Sequence, residues 1–401
     1  MKSTPDPLSG PKEHQRAFTP PSVAVTATLI IIVAALVLRW MHATTWSLVD
    51  LEDFVAGGRS VLQGQQIYDP IPGVLPFNYP PFGAVVMVPL GAVGLPLAAW
   101  LLTLVSLVGY VLVGALVARR LGVADMVTTL FLLGGLALEP LVRNLVLGQV
   151  NLLLVALVVI DLLVLPPPWR GVLIGLAAGV KLTPAVFVVY YVLKRDWWAV
   201  ARSVGAFVGT VAVGWWLAPA SSARYWLEDL DKTMGFGADA LLAANQSLRA
   251  VIVHASGDER PPTEVWVPLA VVILVAATLV ARHCLRHADD VGAMLALAVG
   301  GLLASPISWT HHWVWVVPAL MYAYARFRTG ITWVLAAVFY VAPMWFLPAG
   351  GGAELRFSAW QVVVSGVYVI AGLVGLALLA VSSRAAALPG PRAAAPLVHD
   401  D

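Results

Sequence analysis

An all-α, polytopic membrane protein is the fold class this sequence predicts, and three observations predict it. Of 401 residues, 60% are hydrophobic and only 11% are charged, whereas a soluble chain carries about 25% charged residues. The mean hydropathy is +0.85. Apolar runs long enough for bilayer helices recur along the chain, and a spanning helix needs about 20 such residues, fewer where protein surrounds it. The pattern predicts about twelve membrane helices, several of them short, in a single membrane domain over 22–381.

The net charge of +2 decides little about partners. No long basic tract with interleaved aromatics is present, so nucleic acid is not an expected partner. The one cysteine, Cys284, has no internal disulfide partner. It stands in Arg282-His283-Cys284-Leu285-Arg286-His287, which reads as a basic cytoplasmic helix end rather than a metal site.

Residues 1–21 are polar, with Lys2, Lys12 and Arg16, and are expected to be a disordered cytoplasmic N-terminus. The first apolar run, 22–41, is too long for a signal-peptide core and reads as an uncleaved first span. Further spans are expected over 96–118, 125–138, 150–165, 171–180, 185–193, 203–218, 265–281, 290–304, 313–325, 331–347 and 359–381. The pair 171–180 and 185–193 also reads as one helix kinked at Pro184. Segment 82–94, broken by Pro89, Gly91 and Gly94, reads as re-entrant or interfacial. The tail over 382–401, rich in Ala and Pro, reads as disordered and cytoplasmic.

Cations test this order, because cytoplasmic loops are enriched in Lys and Arg. Arg119-Arg120, Arg170, Lys194-Arg195 with Arg202, Arg282 with Arg286, Arg326 with Arg328, and Arg384 with Arg392 all fall on the expected cytoplasmic side. Two longer segments then lie outside: a first extracytoplasmic loop over 42–80 and a second over 219–264. Within the first, Leu51, Phe54, Val55, Val61 and Leu62 alternate with Glu52, Asp53 and Arg59 at helical spacing, which predicts an amphipathic interfacial helix. No internal repeat is evident, which weighs against transporters built from inverted halves.

The unusual polar residues gather on that same outer side. Asp50 follows the first span among Leu48, Val49 and Leu51, a position suited to a general base or to a helix N-cap. Its neighbours Glu52 and Asp53 read as a solvated face or as supports for it. Gly148-Gln149-Val150-Asn151 opens a membrane helix, and Gln149 and Asn151 suit either interhelical hydrogen bonds or sugar hydroxyls. Arg143 suits a phosphate or lipid headgroups. Lys181, alone between apolar runs, needs an anion or water, and phosphate is the favoured partner. His311 and His312 point about 100° apart if helical, which disfavours one shared metal and leaves donation to phosphate or sugar oxygens, the favoured reading, beside an interfacial Trp-His belt. Many of the sixteen tryptophans, Trp309 among them, stand near outer boundaries as interfacial anchors or stacking surfaces.

Taken in order, Asp50-Leu51, Gln63 to Tyr68, Phe77-Asn78-Tyr79-Pro80-Pro81, Gly148-Gln149-Val150-Asn151, Lys181-Leu182-Thr183-Pro184, Asn245-Gln246-Ser247 and Ser305 to His312 form a set. The set resembles glycosyltransferase family 87, the actinobacterial polyprenol-phosphate-mannose-dependent α-1,2-mannosyltransferases. The resemblance covers about residues 22–381. It implies a GT-C fold in the plasma membrane, with the active site at the extracytoplasmic face and no cofactor or metal. It implies a polyprenyl phosphomannose donor and a mannosylated phosphatidylinositol glycolipid or lipoglycan as acceptor. It also implies Asp50 as base. Lys181, His311, His312 and Arg143 are then candidates for the donor phosphate. Gln149, Asn151, Asn245, Gln246, Tyr79 and Trp309 are candidates for sugar and acceptor. Relatives place a valine and a tyrosine where this chain has Asp53-Phe54. Two other readings stand beside this one: an arabinofuranosyltransferase using prenyl phosphoarabinose, and a transporter or flippase for a lipid-linked sugar.

Overall fold

The computed structural model describes residues 48–229, 241–258, 263–327 and 330–382. The expected N-terminus, the first span over 22–41 and the tail beyond Ser382 lie outside the described residues. The described residues form helices joined by loops. The only extended pairing, among the described residues, is one bridge between Asn245 and Trp309.

The first helix, α1 (Val49–Leu62), is followed by two short ones, α2 (Pro81–Val86) and α3 (Val88–Val93). Thus the apolar segment expected to be re-entrant forms two helical turns hinged at Met87. Proline stands in the first turn of each, where its missing N–H has no intrahelical partner to lose. The two glycines Gly58 and Gly91 let α1 and α3 touch backbone to backbone. A Cβ on Gly58 would lie 2.4 Å from the Met87 carbonyl, and one on Gly91 2.7 Å from the Arg59 nitrogen.

The bundle continues with α4 (Leu95–Leu121), α5 (Asp125–Gly135), α6 (Glu139–Leu147), α7 (Asn151–Leu163), α8 (Val172–Val180), α9 (Val188–Lys194) and α10 (Trp197–Leu217). It closes with α11 (Leu248–Ser256), α12 (Thr263–Arg286), α13 (Asp290–Ala304), α14 (Val316–Phe327), α15 (Gly330–Val341), α16 (Ala359–Ser365) and α17 (Val367–Ser382). Helices α4, α10 and α12 are each long and apolar enough to cross a membrane. The pairs α5–α6 and α16–α17 are also long enough together, but bend by 60° and 64°. The first bend precedes Pro140, in the opening turn of α6, and the second falls at Gly366. Of the spans expected over 125–138 and 359–381, the first ends at the bend after Gly135, and the second is broken within its length at Gly366.

Several remaining helices are short because protein replaces lipid around them. In α13, 15 residues long, most side chains are buried, and α7, with 13 residues, has the same character. A short helix surrounded by protein does not need to match the bilayer thickness. The expected hairpin at Pro184 resolves into α8 and α9, separated by extended Lys181 and a 3-10 turn over Thr183–Phe187.

Two apolar clusters make the core. The larger runs through α4, α7, α13 and α14 and includes Leu107, Val159, Met294 and Met321. The smaller joins α1–α3 to the start of α4, the start of α7 and the end of α8 through Leu51, Phe54, Met87, Val150 and Val180. Of the two readings of Asp53, a solvated face or a support for Asp50, its 5% exposure removes the first. Helix α1 is enclosed by α2, α3 and the end of α6 rather than lying with one face in water.

Candidate active site

The site is built on the seam between the two clusters. Leu48 donates its N–H to the Val146 carbonyl at 2.7 Å, which ties the start of α1 to the end of α6. The helix begins at Val49 after Leu48, so Asp50 lies inside the first turn and is not the N-cap. On the other side, α6 ends at Gly148 with φ of 73°, a left-handed conformation that favours glycine. A Cβ there would also lie 2.6 Å from Leu51 Cβ. Gly148 therefore lets α6 turn sharply into α7 directly against the Asp50 segment.

That turn delivers Gln149 and Asn151. Gln149 Nε2 donates to Asp50 Oδ2 at 2.8 Å, which leaves Gln149 Oε1 to accept from the Tyr79 hydroxyl at 3.1 Å and from Asn151 Nδ2 at 3.4 Å. Asn151 Oδ1 accepts from Lys181 Nζ at 3.1 Å. The two amides thus form a polarised relay, with nitrogens toward the carboxylate and oxygens toward the ammonium. Lys181 Nζ also stands 3.0 Å from His312 Nε2, donates to the Tyr79 hydroxyl at 3.5 Å, and lies 5.2 Å from the Tyr79 ring centroid. Asp50, Tyr79, Gln149, Asn151, Lys181 and His312 therefore form one connected group. Tyr79 in turn packs edge-on against Phe54, with centroids 5.2 Å apart.

Electrostatics follow from this enclosure. Burial raises the Asp50 carboxyl above its ordinary value, while the Gln149 hydrogen bond and the charges of Lys181 and Arg143 oppose the rise. Asp53 is pushed up to about 8, by burial first and by Asp50 second, so it holds its proton at neutral pH. Lys181, in the break between α8 and the next turn, is lowered to about 8 by burial, with Asp50 opposing. His311 and His312, in the 3-10 turn Thr310–Trp315, are both held well below the ordinary histidine range by burial first and by Lys181 second. They are neutral rings beside a charged lysine.

The other candidate residues occupy a second layer. Asn151 Nδ2 donates to the His311 carbonyl at 3.2 Å, so it is the His311 backbone that joins the relay, while His311 Nε2 is buried without a partner. Arg143 is half-buried, with its guanidinium 4.8 Å from the Trp345 ring centroid. It acts on Asp50 and His311 through charge. The amide of Gln246 is committed to backbone, donating to Ala243 and Ser365 carbonyls and accepting from the Tyr368 N–H. Asn245 Oδ1 accepts from Ser308 N–H, and its backbone pairs with half-buried Trp309. These residues brace the histidine turn.

Two further residues of this layer take no role from the sequence alone. Asn144 is fully buried, accepts from Asn151 Nδ2 at 3.1 Å and donates to the Gln149 carbonyl at 3.3 Å. Its signal is an amide amid Leu141, Leu145, Val146 and Leu147 on the buried face of α6. Glu139 accepts from Trp345 Nε1 at 2.9 Å and the Tyr368 hydroxyl at 3.0 Å.

A cavity opens from the cationic end of the group. Asn151, Lys181 and His312 form its polar end, and Leu154, Val158, Phe187, Leu302 and Trp315 are among its apolar walls. A polar head and an apolar wall in one cavity suit an amphiphile whose charged group sits against the lysine.

Comparisons with known proteins decide the family. The profile of glycosyltransferase family 87 matches residues 77–306. A polyprenol-phosphate-mannose-dependent alpha-(1-2)-phosphatidylinositol mannoside mannosyltransferase of Mycolicibacterium smegmatis is 32% identical over 360 residues, covering 80% of this chain and 81% of that protein. The Mycobacterium tuberculosis protein described in the same words is 31% identical, over 68% of this chain and 69% of its own. The chain belongs to glycosyltransferase family 87. A third relative of this family 87 protein, a polyprenol-phosphate-mannose-dependent alpha-(1-2)-phosphatidylinositol pentamannoside mannosyltransferase of Mycobacterium tuberculosis, is 34% identical over 94% of this chain and 92% of its own. No solved structure matches. The chain is therefore an all-helical membrane glycosyltransferase, as the sequence motifs implied.

Proposed function

We propose that this glycosyltransferase moves mannose from a polyprenyl phosphomannose to a hydroxyl of a mannosylated phosphatidylinositol glycolipid, forming an α-1,2 linkage at the extracytoplasmic face of the plasma membrane. The observation that carries the mechanism is the relay Asp50–Gln149–Asn151–Lys181, which joins a half-buried carboxylate to a half-buried ammonium through two buried amides without pairing them directly. The names of the relatives supply the sugar, the lipid phosphate and the acceptor class.

The reaction is a single inverting displacement. Asp50 takes the proton of the acceptor hydroxyl as its oxygen attacks the donor's anomeric carbon. The bond from that carbon to the phosphate oxygen breaks, and its electron pair leaves with the polyprenyl phosphate. That leaving group needs charge stabilisation more than protonation, which Lys181 and His312 provide at the polar end of the cavity. Arg143 adds its field from beyond hydrogen-bond range. The prenyl chain lies along the apolar wall past Leu154, Val158 and Phe187. Gln149, Asn151 and Tyr79 orient the base and the lysine. Asn245 and Gln246 hold the histidine turn, and Trp309 offers a face for sugar stacking.

The test is transfer by the purified full chain from prenyl phosphomannose and from prenyl phosphoarabinose to a panel of phosphatidylinositol mannosides, with wild type and Asp50→Asn. Mannose transfer by wild type alone is the expected result. Transfer of arabinose in place of mannose would overturn the donor assignment. Undiminished transfer by Asp50→Asn would overturn the base.

A further inference from the structure

The opposite end of α7 and α8 carries a second polar cavity, of about 210 Å3, that the transfer reaction does not use. Helix α7 is 13 residues long, which separates the two ends by about 20 Å. Arg120, Arg170, Lys194, Asp196, Asp290 and the Tyr190 ring line this cavity. Its charges are unevenly matched. Lys194 Nζ pairs with Asp290 Oδ1 at 3.1 Å, and the Tyr190 hydroxyl donates to the same oxygen at 2.6 Å. Asp196 accepts from the Ala199 N–H and caps α10. Among the described residues, Arg120 and Arg170 have no carboxylate partner. Each makes one bond to backbone, Arg120 to the Leu163 carbonyl and Arg170 to the Leu165 carbonyl at 3.0 Å. Those bonds leave the other N–H donors of each guanidinium without a protein partner among the described residues.

We propose that this cavity binds an anionic phosphate group between Arg120 and Arg170. Two guanidinium forks on one cavity match phosphate oxygens in a way that lysines do not. The surroundings resemble headgroup depth: Trp169, Trp197 and Trp198, neighbours of Arg170 and Asp196 in the chain, are all exposed. The cationic loops at this end are the ones whose charge bias points to the cytoplasm. A phospholipid of the inner leaflet and free phosphate present the same chemistry to these arginines.

Native mass spectrometry of the full chain in detergent micelles tests the site, with phosphatidylglycerol, phosphatidylcholine or inorganic phosphate added. Wild type is expected to retain phosphatidylglycerol over phosphatidylcholine. Arg120→Gln/Arg170→Gln is expected to retain about tenfold less. Arg282→Gln/Arg286→Gln, an equal charge loss on α12, is expected to retain it as wild type does. Displacement by millimolar inorganic phosphate would identify free phosphate as a ligand of the same site, and failure to displace would identify the lipid headgroup. Equal retention by the two double variants, or of the two lipids, would overturn the site. If the glutamine pair does not fold, Arg120→Lys/Arg170→Lys keeps the charge and removes the forks. Its retention is expected to fall below wild type, and unchanged retention would overturn the proposal.

Discussion

The two ends of the α7–α8 hairpin combine the same kinds of side chain and treat them differently. At the end near Lys194 and Asp290 the opposite charges meet directly, at 3.1 Å and with the lysine side chain 42% exposed. A pair so placed is worth roughly 0–1 kcal/mol. At the end near Asp50 and Lys181 two buried amides stand between the charges, which are themselves half-buried. Directly paired, the two charges would neutralise each other. Separated by amides, the carboxylate keeps affinity for a proton and the ammonium keeps affinity for a phosphate. Charges held apart in this way, at some cost in stability, are the arrangement that the proposed reaction needs.

Removing either charge should break that contrast most sharply. Asp50→Asn keeps the Gln149 neighbour and shape but removes the proposed base, and kcat is expected to fall about 10²–10⁴-fold with thermal stability retained. Assay of transfer beside a melting curve checks both. Lys181→Met should lower kcat roughly 10²-fold through loss of phosphate stabilisation. It also alters the pH profile. Because Lys181 loses its proton near pH 8, wild-type activity should decline above that pH, and the residual activity of Lys181→Met should show no such decline. A decline of equal midpoint in the variant would remove Lys181 from the mechanism.

Interrupting the relay should have a smaller effect. Gln149→Leu removes a hydrogen bond that favours ionised Asp50. The Asp50 value then rises further, so the acid limb of the pH–activity curve should move to higher pH, with a loss of about tenfold at neutral pH. An unmoved limb would mean that the bond does not govern the base. Asp53→Asn should change activity least, since Asp53 already carries a proton at neutral pH. Its effect belongs to stability. The unfolded chain releases this proton near pH 4, whereas the fold keeps it until about 8. Wild type therefore loses stability as pH rises between those values. Asp53→Asn should flatten that fall, seen as a melting temperature raised by a few degrees at pH 7–8. A steeper fall in the variant would contradict the buried, protonated assignment.

Legibility differed between elements for physical reasons. Composition and apolar length alone identify the membrane class, and α4, α12 and α13 fall close to their expected bounds. The bends at Pro140 and Gly366 were harder to read, since an apolar run has the same hydropathy straight or folded back. In the site, Lys181 and Asp50 stand out because isolated charge in apolar sequence needs a reason. Asn144 did not, because a lone amide in a helix is also an ordinary interhelical contact. For Asp53 the sequence leaves a solvated face and a support for Asp50 both open, because helical spacing shows which face is polar but not how many neighbours enclose the helix.

By itself the sequence determined the helical membrane class and the residues with unusual chemistry, and its motifs in order resemble family 87. Hydrophobicity and residue type are local properties, so a linear reading suffices for them. Only the tertiary structure decided that Asp50 and Lys181, 131 positions apart in the chain, are linked by Gln149 and Asn151. It also decided that His312 joins the lysine while Asn245 and Gln246 serve the backbone. Those assignments depend on which atoms satisfy one another's hydrogen bonds after the helices pack, and that competition has no expression in the order of residues along the chain.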